Sequence, residues 1–402
     1  MLEGKTIVLG VTGSIAAYKI ANLTSMLVKL HADVHVLMTQ NATNFINPIT
    51  FETLTGHKCL VDTFDRNFNY NIEHVALGNK ADVVLVAPAT ANIIAKMANG
   101  LADDMLSTTV LACHCNKIVA PAMNTNMYDN PITQQNLQSL RSLGMQIVEP
   151  VSGLLACGDT GRGKMADIDI IEEAVEMALH GDKPLAGRRV LVTAGPTQEA
   201  MDPVRYITNH SSGKMGYEVA RAARNLGAEV TLVSGQCGLK PPYGMETVSV
   251  VSAEDMYEAV TSRAADCDYI VMAAAVADYT PAVTAEDKIK KKDDDMSVAL
   301  KRTHDILKTL GERKSRAQVL CGFAMETQNL LENARKKLEA KNADMIVANN
   351  LKVEGAGFAH DTNVATFLLR DGLVENPLQS KETLAYAIWN QLIEIRAQKG
   401  ID

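Results

Sequence analysis

The chain has 402 residues, of which 47% are hydrophobic and 21% are charged, so it is long enough for two globular domains with separate cores. Its formal net charge of −8 argues against a nucleic-acid partner, because phosphate binding depends on basic surface. No apolar run approaches the roughly 20 residues that span a bilayer, and the N-terminus has no signal-peptide pattern. We therefore expect a cytoplasmic protein without a membrane partner.

The first half alternates short β-branched apolar runs with amphipathic segments, which is typical of an α/β fold with a parallel sheet. The pattern predicts strands over residues 6–9, 33–38, 82–87, 117–120 and 146–148, and a closing helix over residues 170–179. Proline and glycine interrupt the pattern at residues 181–187. We place a boundary there and predict domains over residues 1–181 and 187–402.

The second half repeats this pattern. It predicts strands over residues 188–195, 227–235, 269–274, 345–349 and 365–369, and a C-terminal helix over residues 381–396. Both halves are therefore expected to be Rossmann-like, three-layer α/β domains. The repeat concerns architecture only and does not indicate whether both halves bind nucleotides.

A glycine-containing loop follows the first predicted strand. Gly10 and Gly13 end the strand, and Ser14 can cap the next helix, whose N-terminus favours a phosphate group. The third glycine of a dinucleotide fingerprint is missing, so the loop suits a mononucleotide, and a simple tight turn is the alternative. Thr90 and Asn92 follow the third strand, where their side chains suit a flavin ring or ribityl chain.

Cys157 lies in a glycine-rich loop that also carries Arg162 and Lys164. Nearby cations favour a thiolate, so the loop is either a flap with a reactive thiol or a surface loop with an incidental one. His74 is a candidate base, and Asn124 follows a strand end. A histidine satisfied within the fold and ordinary turn chemistry are the alternatives, and spacing alone does not join these residues.

The order of these motifs resembles the flavin-containing cysteine decarboxylases over most of residues 1–180. The segments that carry the resemblance are residues 13–19, 72–75, 88–92, 121–128 and 156–158. The second half resembles phosphopantothenate-cysteine ligase. The whole chain is thus similar to the bacterial bifunctional enzymes of coenzyme A biosynthesis, in which phosphopantothenoylcysteine decarboxylase is fused to its ligase. Tyr128 departs from the family motif, which commonly has tryptophan there.

For the first domain, the resemblance implies a flavodoxin-like flavoprotein decarboxylase that uses FMN. His74 would be the base that also orients the substrate, Asn124 would hold the substrate carboxylate, and Cys157 would donate a proton. The resemblance and the motifs together give these candidates for FMN binding: Gly13, Ser14, Thr39, Thr90 and Asn92.

For the second domain, the segment from Asn209 to Gly216 offers hydroxyls, glycines and a lysine, which suit a phosphate cradle or a dimer arm. The resemblance implies that CTP, with Mg²⁺, and 4'-phosphopantothenate form an acyl-cytidylate, and that cysteine then displaces CMP. Asn209 would act on this intermediate. The implied CTP-binding residues are Ala273, Ala274, Asp278, Lys288, His304, Asp305, Ile306, Leu307, Phe323, Lys337 and Lys341.

The metal ligands are left unassigned, because the run of aspartates at residues 293–295 is more typical of a solvated loop. The resemblance also implies a homo-oligomer, with trimeric decarboxylase domains and dimeric ligase domains that together form a dodecamer. Three alternatives remain at this point. They are a two-domain nicotinamide oxidoreductase, a flavin prenyltransferase and a non-catalytic regulatory relative.

Overall fold

The computed structural model describes residues 2–64, 73–154, 158, 160–291, 296–326, 330–350, 357 and 360–400. The chain divides into two compact units, Met1–Gly181 and Asp182–Asp402. Each unit is described by itself below. Within the described residues, no helix combines the length and the apolar character needed to cross a membrane.

The first unit alternates strands and helices. A 3-10 helix also covers Gln40–Asn44. The strands and helices are β1 Thr6–Val11, α1 Ala17–Lys29, β2 Asp33–Met38, α2 Pro48–Thr55, α3 Glu73–Lys80, β3 Val83–Ala89, α4 Ala91–Asn99, α5 Met105–Ala112, β4 Asn116–Pro121, α6 Thr125–Tyr128, α7 Pro131–Ser142, β5 Gln146–Ile147, β6 Val151–Leu154, β7 Thr160–Lys164 and α8 Ile168–Leu179.

Five of these strands form a parallel sheet in the order β2-β1-β3-β4-β5, which confirms the predicted strands with small differences at their ends. Gly10 lies inside β1 and does not end it, which corrects the expectation for that residue. Strands β6 and β7 pair separately as an antiparallel hairpin that the sequence pattern did not predict.

Both faces of the parallel sheet are buried. Val8 and Val84 pack on one face with residues of α4, α5 and α7, while α1 and α8 cover the opposite face. The face alternates along each strand, as the pleat requires. Since helices cover most of both faces, polar side chains collect mainly at the strand ends, and the carboxyl ends of parallel strands are where ligands bind in such folds.

The second unit has more strands. A 3-10 helix covers Ala264–Asp266. The remaining elements are β8 Arg189–Ala194, β9 Gln198–Ala200, β10 Tyr206–Thr208, α9 Lys214–Asn225, β11 Glu229–Ser234, β12 Glu246–Ser249, α10 Ala253–Thr261, β13 Tyr269–Met272, β14 Tyr279–Pro281, β15 Leu300–Arg302, α11 Ile306–Arg313, β16 Val319–Glu326, α12 Leu330–Ala340, β17 Met345–Asn350, β18 Thr362–Leu369, β19 Gly372–Ser380 and α13 Lys381–Gln398.

The main sheet of this unit has the order β12-β11-β8-β13-β16-β17-β18-β19. The first six strands in this order are parallel, but β18 pairs antiparallel with β17 and β19 pairs antiparallel with β18, so the parallel pattern expected from the sequence does not extend to the last two strands. The reason is local, since only Arg370 and Asp371 join β18 to β19, and a two-residue loop makes a hairpin and not a crossover.

Helices again cover both faces of this sheet. Val190 and Val192 pack with α9 and α13, whereas Leu191 points to the other face and packs with α10, α11 and α12. Trp389 of α13 is fully buried, and its indole nitrogen donates a hydrogen bond to Val219 O over 2.8 Å. The tight cover on both faces again leaves the carboxyl edge of the parallel strands as the place for polar chemistry.

Candidate active sites

A cavity of about 530 Å³ lies at the carboxyl edge of the first unit's sheet, and we name it the first cavity. Three segments form its walls, namely the start of α1, the loop between β4 and α6, and the β6–β7 hairpin. Its lining residues are Ser14, Ile15, Ala16, Tyr18, Lys19, Ala122, Met123, Asn124, Leu154, Gly163, Lys164 and Met165. Two of the predicted residues, Ser14 and Asn124, thus meet in one cavity.

The β6–β7 hairpin is docked on the loop that carries Asn124. Met123 N donates to Gly163 O over 3.0 Å, and Arg162 donates to Asp129 Oδ1 over 3.1 Å. A Cβ on Gly163 would overlap Met123 O, and its φ of +126° disfavours other residues. Residue 157 lies between the two strands of this hairpin but outside the described residues, so the structure gives no placement for Cys157.

Asn124 is half-buried and caps the short helix α6. Its Oδ1 accepts a hydrogen bond from Asn126 N over 2.8 Å, which fixes the side chain at the cavity wall.

Tyr128 is buried, and its hydroxyl donates to Glu149 Oε2 over 2.6 Å. Burial and the neighbouring carboxylate raise the pKa of Tyr128 to about 12, so this phenol stays protonated.

The threonines at the ends of β1, β2 and β3 form the next part of this edge. Thr12 Oγ1 donates to Pro88 O over 2.6 Å and accepts from Thr90 N over 3.1 Å, which ties β1 to the loop after β3. Thr90 caps α4 by accepting a weak bond from Ile93 N. Among the described residues, Thr39 Oγ1 is buried without a hydrogen-bond partner. A buried hydroxyl of this kind calls for a ligand or water partner.

Other predicted residues of this unit have different positions. The expectation that Ser14 caps α1 is wrong, because the N-cap is Ala16 and Ser14 Oγ only accepts a 3.4 Å bond from Ala16 N. A Cβ on Gly13 would lie 2.8 Å from Asn41 Cβ, so the loop packs too closely for a larger residue. Within the described residues, His74, in the first turn of α3, and Asn92, exposed on α4, do not line the first cavity.

A second cavity, of about 420 Å³, lies at the carboxyl edge of the second unit's sheet. Six of the predicted residues line it, namely Asn209, Ala273, Ala274, Asp278, Phe323 and Lys337. Residues that the predictions did not assign complete the wall: Ser211, Ser212, Gly213, Lys214, Met215, Gly216, Ala275, Val276, Met325, Asn349, Gly357, Asn363 and Lys381. The cavity is therefore polar and lysine-rich.

The N-terminus of α9 forms one wall of the second cavity. Gly213 is its N-cap and has a φ of +78°. A Cβ on Gly216 would lie 2.6 Å from Ala194 Cβ and 2.9 Å from Thr193 O, so only glycine lets α9 lie this close to β8. Free N–H groups and the positive end of the helix dipole favour a phosphate here. Lys214 adds a positive charge and donates to Asp361 Oδ1 over 2.6 Å.

Asn209 is held at the rim of this cavity. Its Nδ2 donates to Ala275 O over 3.0 Å, and the adjacent Thr208 Oγ1 donates to Thr197 O over 2.8 Å. Thr197 Oγ1 in turn accepts from Ala277 N over 3.0 Å. The Asn209 segment and the loop after β13 are thus fixed to each other through neutral hydrogen bonds.

Asn349 is a residue that the sequence reasoning missed. It lines the second cavity near the end of β17, and its Oδ1 is buried without a hydrogen-bond partner among the described residues. Lys381, also missed, lies at the start of α13. The signal was available for Asn349, because polar residues at the carboxyl end of a predicted parallel strand lie where ligands bind.

Within the described residues, the remaining predicted nucleotide-binding residues of this unit do not line the second cavity. Lys341 Nζ donates to Asp305 Oδ2 over 2.5 Å, and Asp305 caps α11. Burial alone would raise the pKa of Asp305, but the hydrogen bond from Lys341 lowers it below its usual value. His304 is exposed and stacks on Tyr257 with ring centroids 4.5 Å apart.

The predicted roles of Ile306 and Leu307 need a correction. Both side chains are buried in the core of the second unit, so only their backbone groups can reach a nucleotide.

Lys288 is exposed in the loop after β14. The next residue anchors that loop, because Ile289 N donates to Asp202 Oδ2 over 3.1 Å. Hydrogen bonds from Arg205 and from backbone N–H groups lower the pKa of Asp202, which stays ionised.

Comparison with known families identifies the family of this chain. Residues 1–180 match the Flavoprotein family, and residues 185–395 match the DNA/pantothenate metabolism flavoprotein C-terminal domain. The coenzyme A biosynthesis bifunctional protein CoaBC of Bacillus subtilis (strain 168) is 46% identical over 404 residues, which cover 100% of this chain and 99% of that protein. The chain belongs to the CoaBC family.

Further CoaBC proteins are similar over nearly the whole chain. CoaBC of Vibrio vulnificus (strain CMCP6) is 44% identical over 393 residues, which are 97% of this chain and 98% of that protein. A crystal structure of the C-terminal domain of CoaBC is 46% identical, covers 54% of this chain and 100% of that chain, and has a TM-score of 0.47.

Membership of the CoaBC family makes the chain a bifunctional enzyme of coenzyme A biosynthesis, with a flavoprotein decarboxylase domain followed by a ligase domain. The resemblance, the α/β fold class and the two activities predicted from the sequence are confirmed. The comparisons give no support to a nicotinamide oxidoreductase.

Proposed function

We propose that the second unit couples 4'-phosphopantothenate to cysteine with CTP, and that the first unit decarboxylates the resulting phosphopantothenoylcysteine to 4'-phosphopantetheine with FMN. The observation that carries the ligase part is the second cavity, which Lys214, Lys337 and Lys381 line together with the N-terminus of α9. Such a cavity suits a substrate that bears phosphate groups.

The ligase reaction needs an activated carboxylate, and an acyl-cytidylate provides it. The phosphate of phosphopantothenate would bind at Ser211, Ser212 and the N–H groups of α9. Asn209, fixed through Ala275 O, would donate to the acyl-phosphate group as cysteine displaces CMP. The arrangement gives the reaction fixed donors where negative charge develops.

The nucleotide would extend from the cavity toward the residues that the family motif assigns to CTP. Lys288 would stabilise the triphosphate, while backbone groups of Ile306 and Leu307 would contact the nucleotide at the start of α11. Mg²⁺ would be held mainly by the triphosphate and water, and Asp278 is a carboxylate in the cavity wall that could join it. His304, Asp305, Phe323, Lys337 and Lys341 complete this proposed nucleotide-binding set.

For the decarboxylase, the fit to FMN rests on the edge of the first sheet. The partnerless hydroxyl of Thr39, the close approach at Gly13 and the start of α1 at Ser14 provide polar contacts for a phosphate-bearing flavin. Thr90 and Asn92 lie on the neighbouring strand end and helix start. When bound, FMN supplies a reversible hydride acceptor for the thiol-bearing carbon of the substrate.

The protein's own groups would then handle the carboxylate and the protons. A carboxylate only accepts hydrogen bonds, so the amide nitrogen of Asn124 is the group that would bind the substrate carboxylate, while its Oδ1 caps α6. His74 would orient the substrate thiol and accept its proton, and Cys157 would return a proton to the product carbon. The β6–β7 hairpin would hold the segment with Cys157 against the Asn124 loop.

An absorbance spectrum of the purified protein tests the flavin assignment. Bound oxidised flavin gives visible bands that the ligase half cannot produce. A sample that shows no visible flavin bands after incubation with FMN and removal of the free flavin, and that makes no phosphopantetheine, would refute the decarboxylase assignment. Product formation from phosphopantothenate, cysteine and CTP, assayed with and without Mg²⁺, tests the ligase assignment separately.

We further propose that the two domains are separable at residues 181–187. Fragments 1–181 and 187–402 should each fold and carry out their own half-reaction, because each unit has its own core. A fragment 187–402 that stays folded but cannot form phosphopantothenoylcysteine would refute this boundary or the ligase assignment.

The proposed assembly has trimeric decarboxylase domains and dimeric ligase domains, which combine in a dodecamer. Large apolar side chains exposed on the first unit, such as Leu111, Ile132 and Leu143, support self-association. Light scattering tests the assembly, since the full chain should have the mass of twelve copies, fragment 1–181 that of three and fragment 187–402 that of two.

A further inference from the structure

A cluster of metal-ligating side chains lies away from both cavities, at the start of β2. Asp33 Oδ1 is 2.6 Å from His57 Nε2, and Asp33 Oδ2 is 3.2 Å from His35 Nε2. One ligand atom from each of the three residues lies within 4.8 Å of the others. The three side chains are partly exposed, so an ion from solvent can reach them.

The backbone holds these ligands in place. Asp33 and His35 are two residues apart on one strand, so they share a face of the sheet. Strand β2 is paired in register with β1 along its whole length. His57 follows the left-handed Gly56 at the end of α2, and its N–H donates to Thr55 Oγ1 over 3.1 Å. The two imidazole rings stack with centroids 4.2 Å apart.

Lys80 places a positive charge next to this cluster. Its ammonium nitrogen lies 2.6 Å from Asp33 Oδ2 and 3.2 Å from His35 Nε2, where a metal ion would compete with it. The Lys80 side chain is 51% exposed and has a flexible stem, so it can move into solvent when another cation takes its place.

We propose that Asp33, His35 and His57 form a binding site for a divalent transition-metal ion of the Zn²⁺ class. Imidazole nitrogen with one carboxylate oxygen is a ligand set that suits Zn²⁺ and Co²⁺ better than Mg²⁺ or Ca²⁺. Three protein ligands leave one tetrahedral position for water. Tetrahedral bonds of about 2.0–2.1 Å place ligand atoms roughly 3.3 Å apart, which small side-chain movements achieve from the present geometry.

The site is distinct from the decarboxylase site. Asp33 begins β2, whereas Thr39 follows the other end of that strand, about 20 Å away at 3.3 Å per residue. A metal ion here would therefore not touch FMN or substrate in the first cavity. The competing interpretation is an ionic network in which Asp33 is satisfied by Lys80 and the histidines alone, and a binding experiment separates the two.

The experiment titrates the full-length, flavin-bearing protein with Co²⁺, whose ligand-field bands lie to the red of oxidised flavin, and then displaces it with Zn²⁺. The wild type should bind one equivalent at this site. His57→Ala should weaken Co²⁺ binding by at least about 100-fold, more than the loss of an outer-shell partner. Lys80→Ala removes the competing cation and should tighten binding by about 10-fold.

His31→Asn is the matched control, because it removes a histidine with a left-handed φ of 66° that asparagine tolerates. Unchanged Co²⁺ binding in this variant, with weakening in His57→Ala, supports the proposal. Retained flavin absorbance shows that the variants are folded. The proposal is overturned if neither the wild type nor Lys80→Ala gives ligand-field bands, or if His57→Ala binds Co²⁺ as tightly as the wild type.

Discussion

The two cavities occupy the same place in related folds, yet their walls differ. The first cavity is mostly apolar, with Ile15, Tyr18 and Met123, and its polar residues are Ser14, Asn124 and the two lysines Lys19 and Lys164. The second is polar and carries three lysines and three asparagines, namely Lys214, Lys337, Lys381, Asn209, Asn349 and Asn363. Apolar side chains suit a planar flavin and lysines suit phosphates, so the two walls differ mainly in the apolar side chains of the first cavity and the asparagines of the second.

The position of the chemical groups also differs between the units. In the second unit, six predicted residues line one cavity of a single chain. In the first unit, within the residues the structure describes, the lining includes Asn124 but not His74. A proposed trimer would supply further walls from neighbouring copies, so the decarboxylase site should depend on assembly more strongly than the ligase cavity does.

The largest expected effect is in the first unit. Cys157→Ser should give a folded, yellow protein whose decarboxylation stalls after loss of carbon dioxide, with product formation reduced by about 10²–10⁴-fold. A serine hydroxyl is too weak an acid to replace the thiol as proton donor. Mass spectrometry should detect an oxidised enethiol-type product. Cys267→Ser, which changes a half-buried thiol of the second unit, serves as the control, and normal phosphopantetheine formation by Cys157→Ser would exclude its catalytic role.

The next largest expected effect is a loss of stability in the second unit alone. Asp344 is buried, accepts from Lys314 over 2.6 Å and pairs with Lys399 over 2.9 Å. Asp344→Asn should destabilise the second unit by about 3–5 kcal/mol, because it leaves Lys314 buried without its charge partner. Trp389 is the chain's one tryptophan and reports unfolding of this unit, whereas flavin fluorescence reports the first.

Asp266→Asn is the matched control for Asp344→Asn, since its pair with Arg189 is exposed and contributes little to stability. A loss of flavin signal that coincides with the tryptophan transition of Asp344→Asn would contradict the independence of the units. Equal effects of the two substitutions on stability would contradict the contribution of the buried Asp344 ion pair.

The same carboxylate gives a pH dependence. Burial alone would raise the pKa of Asp344, but hydrogen bonds from Lys314 and Leu320 N lower it below the usual 3.8. A lowered pKa stabilises the folded state above the unfolded value, and this stability is lost as pH falls below about 3.8 toward the folded value. Tryptophan-detected unfolding of the wild type should show this loss on acidification, and Asp344→Asn should show a smaller slope.

The ligase half-steps should respond differently to two substitutions. Lys288→Gln should reduce acyl-cytidylate formation by about 10²–10³-fold, because it removes the charge that we propose stabilises the triphosphate. Asn209→Asp places a negative charge near phosphate and removes an amide donor, so it should slow cysteine transfer more than CTP use. The measurement is a quench with labelled CTP, followed by a cysteine chase. Lys308→Gln is an exposed lysine control.

Accumulation of acyl-cytidylate in Asn209→Asp, and its absence in Lys288→Gln, is the expected pattern. Wild-type behaviour of both variants would refute the proposed second site. A defect in Lys308→Gln equal to that in Lys288→Gln would show that general charge, and not position, decides CTP use.

The smallest expected effect tests the hairpin of the first unit. Gly163→Ala introduces a Cβ that overlaps Met123 O at a positive φ, so the hairpin must shift away from the Asn124 loop at a cost of about 1–3 kcal/mol. The decarboxylation rate should fall while ligation is unchanged. Gly153→Ala is the control on the same hairpin, where the new Cβ would lie 3.5 Å from Lys164 Cδ, an ordinary contact. Equal decarboxylation rates in the two variants would show that docking of the hairpin does not matter.

The sequence by itself determined the α/β class, most strands of both sheets and the family, because apolar runs of four to eight residues and glycine or proline breaks are local signals. It also placed Asp278 and Asn124 after strand ends, where ligands bind in such folds, and the Asn209 segment before a helix. The sequence pattern did not predict strand β16, because Gly322 and Met325 interrupt its β-branched pattern. Its burial comes from strands that are distant in the chain.

Only the tertiary structure decided which residues share a cavity. Asn349 and Lys381 line the same cavity as Asn209, although they lie 140 and 172 positions after it in the chain. Sequence spacing does not reveal that residues so far apart in the chain are neighbours in space. The tertiary structure also buries Ile306 and Leu307 in the core, and it places His57 in contact with Asp33 at the start of β2. Burial and long-range contacts are properties of the packed chain, so they exist only once the layers have closed around the sheets.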